Sequence, residues 1–373
     1  MSTRLVDLVQ SRLDGFIDEH SAALAQISPD LRIIDTSARQ LLAGGKRFRA
    51  LFCYWGWRSV AGVADNSWAQ DGIGEPDGAA LDPVVSVASA LEVFHAAALV
   101  HDDIMDNSDL RRGQPSLHKG FEALHRESGW TGSARQYGDA AALLVGDLLL
   151  AWSDELFDSG AALLGHPDAA AAARAAFALM RTEVTVGQYL DMLEEASWRG
   201  RPETELLARA HRVIVYKSAK YSVEAPLVIG ASLAEASLPQ LASLRAFGLP
   251  LGVAFQLRDD LLGVFGDPLV TGKPAGDDLR EGKRTVLITL ARQKLPASAA
   301  RLVDELLGDS ELDEQQIGML QTAVRDSGAV EQVERVIAHN VNVATAALAD
   351  APLARSARDE LGALADAVTK RES

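Results

Sequence analysis

Two groups of aspartates, each followed by cations, carry the strongest chemical signal in this chain. Asp102, Asp103 and Asp106 precede Arg111 and Arg112. Asp259 and Asp260 follow Gln256 and precede Lys273, Asp277, Asp278 and Lys283. At about 3.6 residues per turn, Asp102 and Asp106 stack on one helix face and Asp103 lies about 100° round. Three carboxylates crowded at the C-terminal end of a helix repel one another and oppose its negative pole. A divalent cation relieves that conflict. Hard oxygen donors suit Mg²⁺, which takes one or two carboxylates and completes its shell with water and phosphate. Two such helices facing each other would hold a polyanion such as a diphosphate between them. A lone DDxxD is more often a solvated acidic turn. Here residues 91–100 are apolar on most faces, so the acidic end is expected to be buried, and buried charge needs a partner.

Other cations fit the same chemistry. Gly44-Gly45-Lys46-Arg47-Phe48-Arg49 places three cations after a flexible pair. If a helix resumes at Lys46, then Lys46 and Arg49 share a face and can clamp a second phosphate group. Taken singly, this stretch, Arg111, Arg112, Lys217, Lys273 and Lys283 read as ordinary solvated charges. A lone histidine on an apolar helix is usually a core residue. His95, however, lies two turns before Asp103 on the same helix. His101 and His118 receive no role.

The elements that must position these residues are helical. The 373 residues are 48% hydrophobic, enough for a large core, and rich in Ala and Leu with few alternating β-branched runs. A formal charge of −16 argues against nucleic acid and against anionic lipid as partners. The single cysteine, Cys53, excludes an intrachain disulfide and a cysteine-based metal site. The start lacks the apolar run of a signal peptide. The most apolar stretch, 140–152, is too short to span a bilayer and contains Asp147, so no transmembrane segment and a cytoplasmic location are expected. Periodicity predicts helices over 1–28, 30–43, 46–60, 138–160, 168–196, 202–234 and 238–266, with more after 284 and no motif there. A further helix starts at Asp82-Pro83 and runs into the first aspartate group. Residues 62–82 read as a surface loop. No composition break divides the chain, so one domain over 1–373 is expected.

Five segments, in order, resemble the signature regions of trans-prenyl diphosphate synthases. They are GGKRFRA (44–50), HDDIMDNSDLRRG (101–113), GQYLD (187–191), YKSA (216–219) and FQLRDDLLGVFGDPLVTGKPAGDDLREGKRT (255–285), within a motif-bearing core of about 40–290. The resemblance implies an all-α isoprenoid synthase fold, a single large helical bundle around a central substrate cavity, as a homodimer. It implies Mg²⁺-dependent head-to-tail condensation of isopentenyl diphosphate with dimethylallyl, geranyl or farnesyl diphosphate, with up to three Mg²⁺ per site. Asp102, Asp103, Asp106, Asp259 and Asp260 match the metal-holding aspartates, with Asp191 near the metal. Arg111, Lys217 and Lys273 match cations on the allylic diphosphate. Lys46, Arg49, His95 and Arg112 match the isopentenyl diphosphate pocket. Gln188 matches a position near the reacting carbons; Ser218, Gln256 and Lys283 join the substrate-binding set. Of these, Asp102, Asp103, Lys217, Gln256 and Asp259 form the expected catalytic group. One position departs from the pattern. The second motif is usually DDxxD, but residue 263 is Gly, and Asp267 is not taken as its substitute.

The helix before Asp102 can act as a ruler, since each ~5.4 Å turn is about one isoprene unit. In the resembling family, bulky residues four or five positions before the first aspartate stop growth early. Here these are Ala98 and Ala97, while Phe94 lies one turn deeper. A twenty-carbon product, geranylgeranyl diphosphate, is expected, with farnesyl or longer products as alternatives. A terpene cyclase would need neither GGKRFRA nor His95. A non-catalytic regulatory subunit usually loses its aspartates, and a helical metal buffer leaves the ordered cations unexplained.

Overall fold

The computed structural model describes residues 2–64, 78–267 and 276–369. Among these the chain is helical apart from short turns and one two-stranded hairpin. The site is positioned by α1 (Ser2–Ile27), α2 (Arg32–Leu42), α3 (Phe48–Ala64), α4 (Gly78–Met105), α5 (Leu117–Glu127), α6 (Ala134–Ala162), α7 (Pro167–Ser197), α8 (Glu203–Val213), α9 (Ala225–Leu233), α10 (Leu238–Phe265) and α11 (Asp277–Glu281). Five further helices, from Val286–Lys294 to Arg355–Thr369, complete the chain.

Helix α4 is the central rod, packed along α6 and flanked by α1 and α3. Its Leu81–Met105 stretch is long and apolar enough to cross a membrane by length and composition, with a mean hydropathy of 1.7. That corrects the choice of 140–152 as the most apolar stretch. Since 78% of its most apolar window is buried inside the fold, the apolarity of α4 serves the core. The helix also starts earlier than Asp82-Pro83. Pro83 lies inside it without ending the helix. Most of the 62–82 segment falls outside the described residues; its flanks are helical, α3 to Ala64 and α4 from Gly78.

The buried apolar residues form two clusters. One joins α1, α3, α4, α6, α7 and α9, with Leu13, Leu91, Leu149, Phe177 and Leu227 at its centre. The other gathers the second half of α10 with the helices beyond it, through Leu257, Leu287, Val324 and Val333. Helix α10 contributes Leu244, Phe247 and Leu251 to the first and Val253, Leu257 and Leu261 to the second.

The predicted 202–234 helix is interrupted in kind. Between α8 and α9 the stretch Ile214–Glu224 is π-helical, and it contains the YKSA segment. Such insertions cluster at functional sites. Pro226 follows at once and cannot donate to the preceding turn. Glycines let neighbouring helices close on this stretch. A Cβ on Gly187 of α7 would lie 2.4 Å from the Lys217 nitrogen, and one on Gly252 of α10 would lie 2.4 Å from the Ala219 carbonyl oxygen. Both contacts are with backbone, which cannot rotate away.

Gly187→Ala is therefore expected to push α7 off the π-helical stretch, destabilising the protein by about 1–3 kcal/mol and displacing Lys217. Chemical denaturation compared with wild type checks this; an unchanged midpoint would contradict the close approach.

Candidate active site

Helix α4 brings Asp102, and α10 brings Asp259 and Asp260, to one cavity of about 670 Å³, within the usual range for small-molecule sites. Asp102, His95 and Ala98 line it from α4, Val184, Gln188 and Asp191 from α7, and Lys217, Ser218 and Tyr221 from the π-helical stretch. Phe255, Gln256, Asp259, Asp260 and Gly263 line it from α10, with Asp278 and Lys283 beside them. Lys46, Arg49, Arg111 and Arg112 close another part. Lys273 lies outside the described residues.

The cations pair with the carboxylates. Lys217 Nζ lies 2.5 Å from Asp191 Oδ2 and 3.1 Å from Asp102 Oδ1. Arg111 donates from Nε to Asp103 Oδ1 at 2.9 Å and contacts Asp102 at 3.4 Å. Lys283 Nζ joins the two acidic groups, 3.3 Å from Asp106 Oδ2 and 3.5 Å from Asp278 Oδ1, and also bonds Glu281. Gln256 Nε2 donates to Asp260 Oδ1 at 2.8 Å. Asp103 is buried and faces Arg111, whereas Asp102 lines the cavity.

A tight hairpin aims the arginines. Strands Leu110–Arg111 and Gln114–Pro115 pair across Arg112-Gly113, both at positive φ (53° and 73°), as a type I′ turn requires. Arg111 then points back at the first aspartate group, and Arg112 Nη1 donates to Ala43 O at 3.4 Å across the Gly44-Gly45 turn. Helix α3 begins only at Phe48, so Lys46 and Arg49 do not share a helical turn; both reach the cavity nonetheless. The cause is Arg47, held at φ 50° and buried, where it bonds Leu42 O, Gln10 Oε1 at 2.7 Å and Glu92 Oε2 at 3.3 Å. Arg47 thus fastens the turn, leaving Lys46 exposed.

Electrostatics follow from burial and neighbours. Burial works against the charge on Asp102, yet Lys217, Lys283 and Arg111 hold its carboxyl well below the usual range. Burial pushes Asp106 up to about 6 against the pull of Lys283, with Asp102 adding repulsion. Asp260 is pushed well up by burial, with Asp278, Asp259 and Asp191 adding to it and the Gln256 hydrogen bond opposing. Burial disfavours charge on Lys217 and Lys283, but their carboxylate neighbours keep both firmly protonated. His95 is held neutral by burial and by the nearby Arg49, Arg112 and Arg111.

The donor set fits a divalent metal. Asp260 is 5% exposed and its Oδ2 has no hydrogen-bond partner. Among the described residues no three His, Cys, Asp or Glu side chains converge closely enough to hold a metal ion unaided.

Some residues in or beside the cavity escaped the sequence reading. Tyr221 lies under Arg49, with the guanidinium 4.3 Å from its ring, and its Oη is 2.8 Å from His95 Nδ1. Ser222 accepts from Arg49 Nη2 at 2.9 Å. Glu195 is pushed up to about 8 by burial, then by Asp191 and Asp106. Its signal was present: it follows Asp191 by one helical turn. Phe94 is buried behind Tyr221, with ring centroids 5.8 Å apart, and it also meets Phe177 at 6.1 Å. Ala97 is fully buried. His101 lies 3.5 Å from Asp147, and His118 is buried beside Ser116.

A family model described as polyprenyl synthetase matches residues 31–324. The chain belongs to the polyprenyl synthetase family. It is 31% identical over 85% of its length to the geranylfarnesyl diphosphate synthase of Aeropyrum pernix, covering 87% of that protein. It is 31% identical over 77% of its length to the geranylgeranyl diphosphate synthase of Mycobacterium tuberculosis, covering 73% of it. The crystal structure of a geranylgeranyl pyrophosphate synthase from Corynebacterium glutamicum, complexed with isoprenyl diphosphate and magnesium, superposes with a TM-score of 0.90. That pair is 35% identical, and all of both chains is covered. The all-α isoprenoid synthase fold and the prenyltransferase class expected from the motifs are therefore established for this family member.

Glu195 gives a pH test. Its folded pKa lies above its unfolded value, so the folded chain holds a proton that the unfolded chain has released. Its contribution to ligand-free stability therefore falls as pH rises from about 4.5 towards 8. Asp102 has the opposite sign, and its contribution is lost only as pH falls below the usual carboxylate range. Glu195→Gln should flatten the decline and raise the ligand-free melting temperature at pH 8 by about 1–3 °C. A variant whose melting temperature follows wild type from pH 5 to 8 would contradict it.

Proposed function

We propose that this protein condenses isopentenyl diphosphate head-to-tail with an allylic diphosphate and that geranylgeranyl diphosphate is its main product. The observation that carries the reading is the shared cavity. Two aspartate groups on separate helices face one space, and every described cation assigned to the diphosphates reaches it.

In this reading Asp102, Asp106, Asp259 and Asp260 hold Mg²⁺, up to three ions, on the allylic diphosphate, with Asp191 beside them. The metal supplies charge neutralisation for the departing diphosphate. Lys217 and Lys283 leave their carboxylate partners, Arg111 turns from Asp102 while Asp103 still holds it, and all three bind phosphate oxygens, a preorganised set of donors for charge that develops as the allylic C–O bond breaks. Asp103 orients Arg111. Gln256 orients Asp260, while Gln188 and Ser218 border the reacting carbons. Lys46, Arg49 and Arg112 bind the second diphosphate beside neutral His95, placing the double bond of isopentenyl diphosphate next to the allylic carbon. The apolar walls keep water from capturing the cation, and the proton lost in the last step passes to the released diphosphate.

Chain length is set below Ala98. Ala98 and Tyr221 line the cavity, and Phe94 lies buried behind Tyr221 and leans on Phe177, so a chain growing past Ala98 is stopped by this aromatic layer. The protein works as a homodimer in the cytoplasm as a single domain. The dimer is supported by exposed apolar residues along α6 and α7, including Leu144, Leu179, Val186 and Tyr189, and the reducing compartment by the lone, buried Cys53.

Purified protein with Mg²⁺, isopentenyl diphosphate and farnesyl diphosphate should yield geranylgeranyl diphosphate without a second subunit. Asp102→Asn should lower kcat by about 10²–10³ with helical circular dichroism retained; near-native turnover would refute the metal role. Phe94→Ala should shift the product distribution upward by at least one isoprene unit. Unchanged chain lengths would remove Phe94 from the floor.

A further inference from the structure

The second aspartate group lacks a carboxylate where the first has one. Asp259, Asp260 and Gly263 occupy the same helical spacing as Asp102, Asp103 and Asp106. The space that a side chain at 263 would need is already taken. A Cβ built on Gly263 would fall 1.9 Å from Asp278 Oδ2 and 2.4 Å from its Cγ, far inside any tolerated contact. The Asp278 carboxylate therefore lies directly on the face of α10 from which a third aspartate would project. It belongs to α11, beyond the end of α10, and it borders the same cavity as Asp259 and Asp260. Lys283 ties it to Asp106 of the first group, so it sits between the two acidic ends. The buried Oδ2 of Asp260, without a hydrogen-bond partner, marks this corner as one that awaits a cation. Asp267, the nearer acidic residue in sequence, is exposed past the end of α10.

We propose that Asp278 supplies the third carboxylate of the second metal-holding group, reaching over Gly263 from α11. Residue 263 is then glycine because the acid arrives from elsewhere. The two positions form one unit: an acid at either place excludes an acid at the other. The inference rests on the metal-dependent reading of the cavity.

The test is Mn²⁺ binding, followed by the loss of the free-ion electron paramagnetic resonance signal in the presence of methylenediphosphonate. Asp278→Asn, of equal shape, should weaken Mn²⁺ binding by about tenfold. Asp278→Ala should do so as well, and Gly263→Asp combined with Asp278→Ala should regain most of the loss by restoring the acid on α10. Circular dichroism of each variant checks the fold, and the isosteric Asn change carries the test if the Ala change disturbs it. Asp102→Asn serves as the reference arm. Wild-type Mn²⁺ binding in Asp278→Asn, with weakened binding in Asp102→Asn, would overturn this assignment alone. Unaltered binding in both would overturn the metal reading and this inference with it. Loss in Asp278→Ala without recovery in the double variant would also overturn it, because the acid would then be needed at its own position and not over Gly263.

Discussion

Everything in this protein is arranged around a crowd of acidic side chains at the edge of its core. Asp102, Asp106, Asp191, Asp260 and Asp278 approach one another beside an apolar core, where repulsion between charges is stronger than in water, and burial with that repulsion pushes the Asp106 and Asp260 carboxyls up. Lys217, Arg111 and Lys283 pair with the charged ones, and Gln256 bonds Asp260. Buried ion pairs of this kind are weak sources of stability, because desolvation offsets much of the attraction. On the proposed function, their value lies in what they keep ready: carboxylates that can turn to metal, and cations that can turn to phosphate, once a diphosphate with divalent metal enters.

Holding such charges together requires a stiff frame. Helices α4 and α10 present their acidic ends from opposite apolar clusters, so the carboxylates cannot splay apart without breaking core contacts. The π-helical stretch carries Lys217 between α7 and α10, and the glycines at 187 and 252 let both helices touch its backbone. The Arg112-Gly113 turn and the Arg47 anchor do the same for the cations of the first half. Each is a local backbone arrangement whose purpose is to aim a charge.

Sequence reading recovered the helices and the two acidic ends because both rest on short-range rules: apolar periodicity, Pro and Gly punctuation, and aspartates one turn apart. It failed where a distant partner sets the conformation. Arg47 takes a positive φ because Glu92 and Gln10 hold its side chain, and so Lys46 is left outside α3. The hairpin at 110–115 turns on Arg112, a residue without the usual signature for that backbone. The π-helical stretch has no compositional mark. Tyr221 drew no reading at all; it is core on its Phe94 side while its other side lines the cavity. Gly263 looked like a lost ligand in one dimension; in three it is the opening through which Asp278 reaches.

The central claim is that both acidic ends grip one diphosphate through divalent metal. Anomalous scattering from crystals soaked with Mn²⁺ and an unreactive thiolo analogue of an allylic diphosphate tests it most directly. The account predicts manganese peaks bridging the analogue to Asp102 and Asp106 on one side and to Asp259 or Asp260 on the other. Analogue bound by lysine and arginine alone, with no manganese between the two aspartate groups, would contradict it.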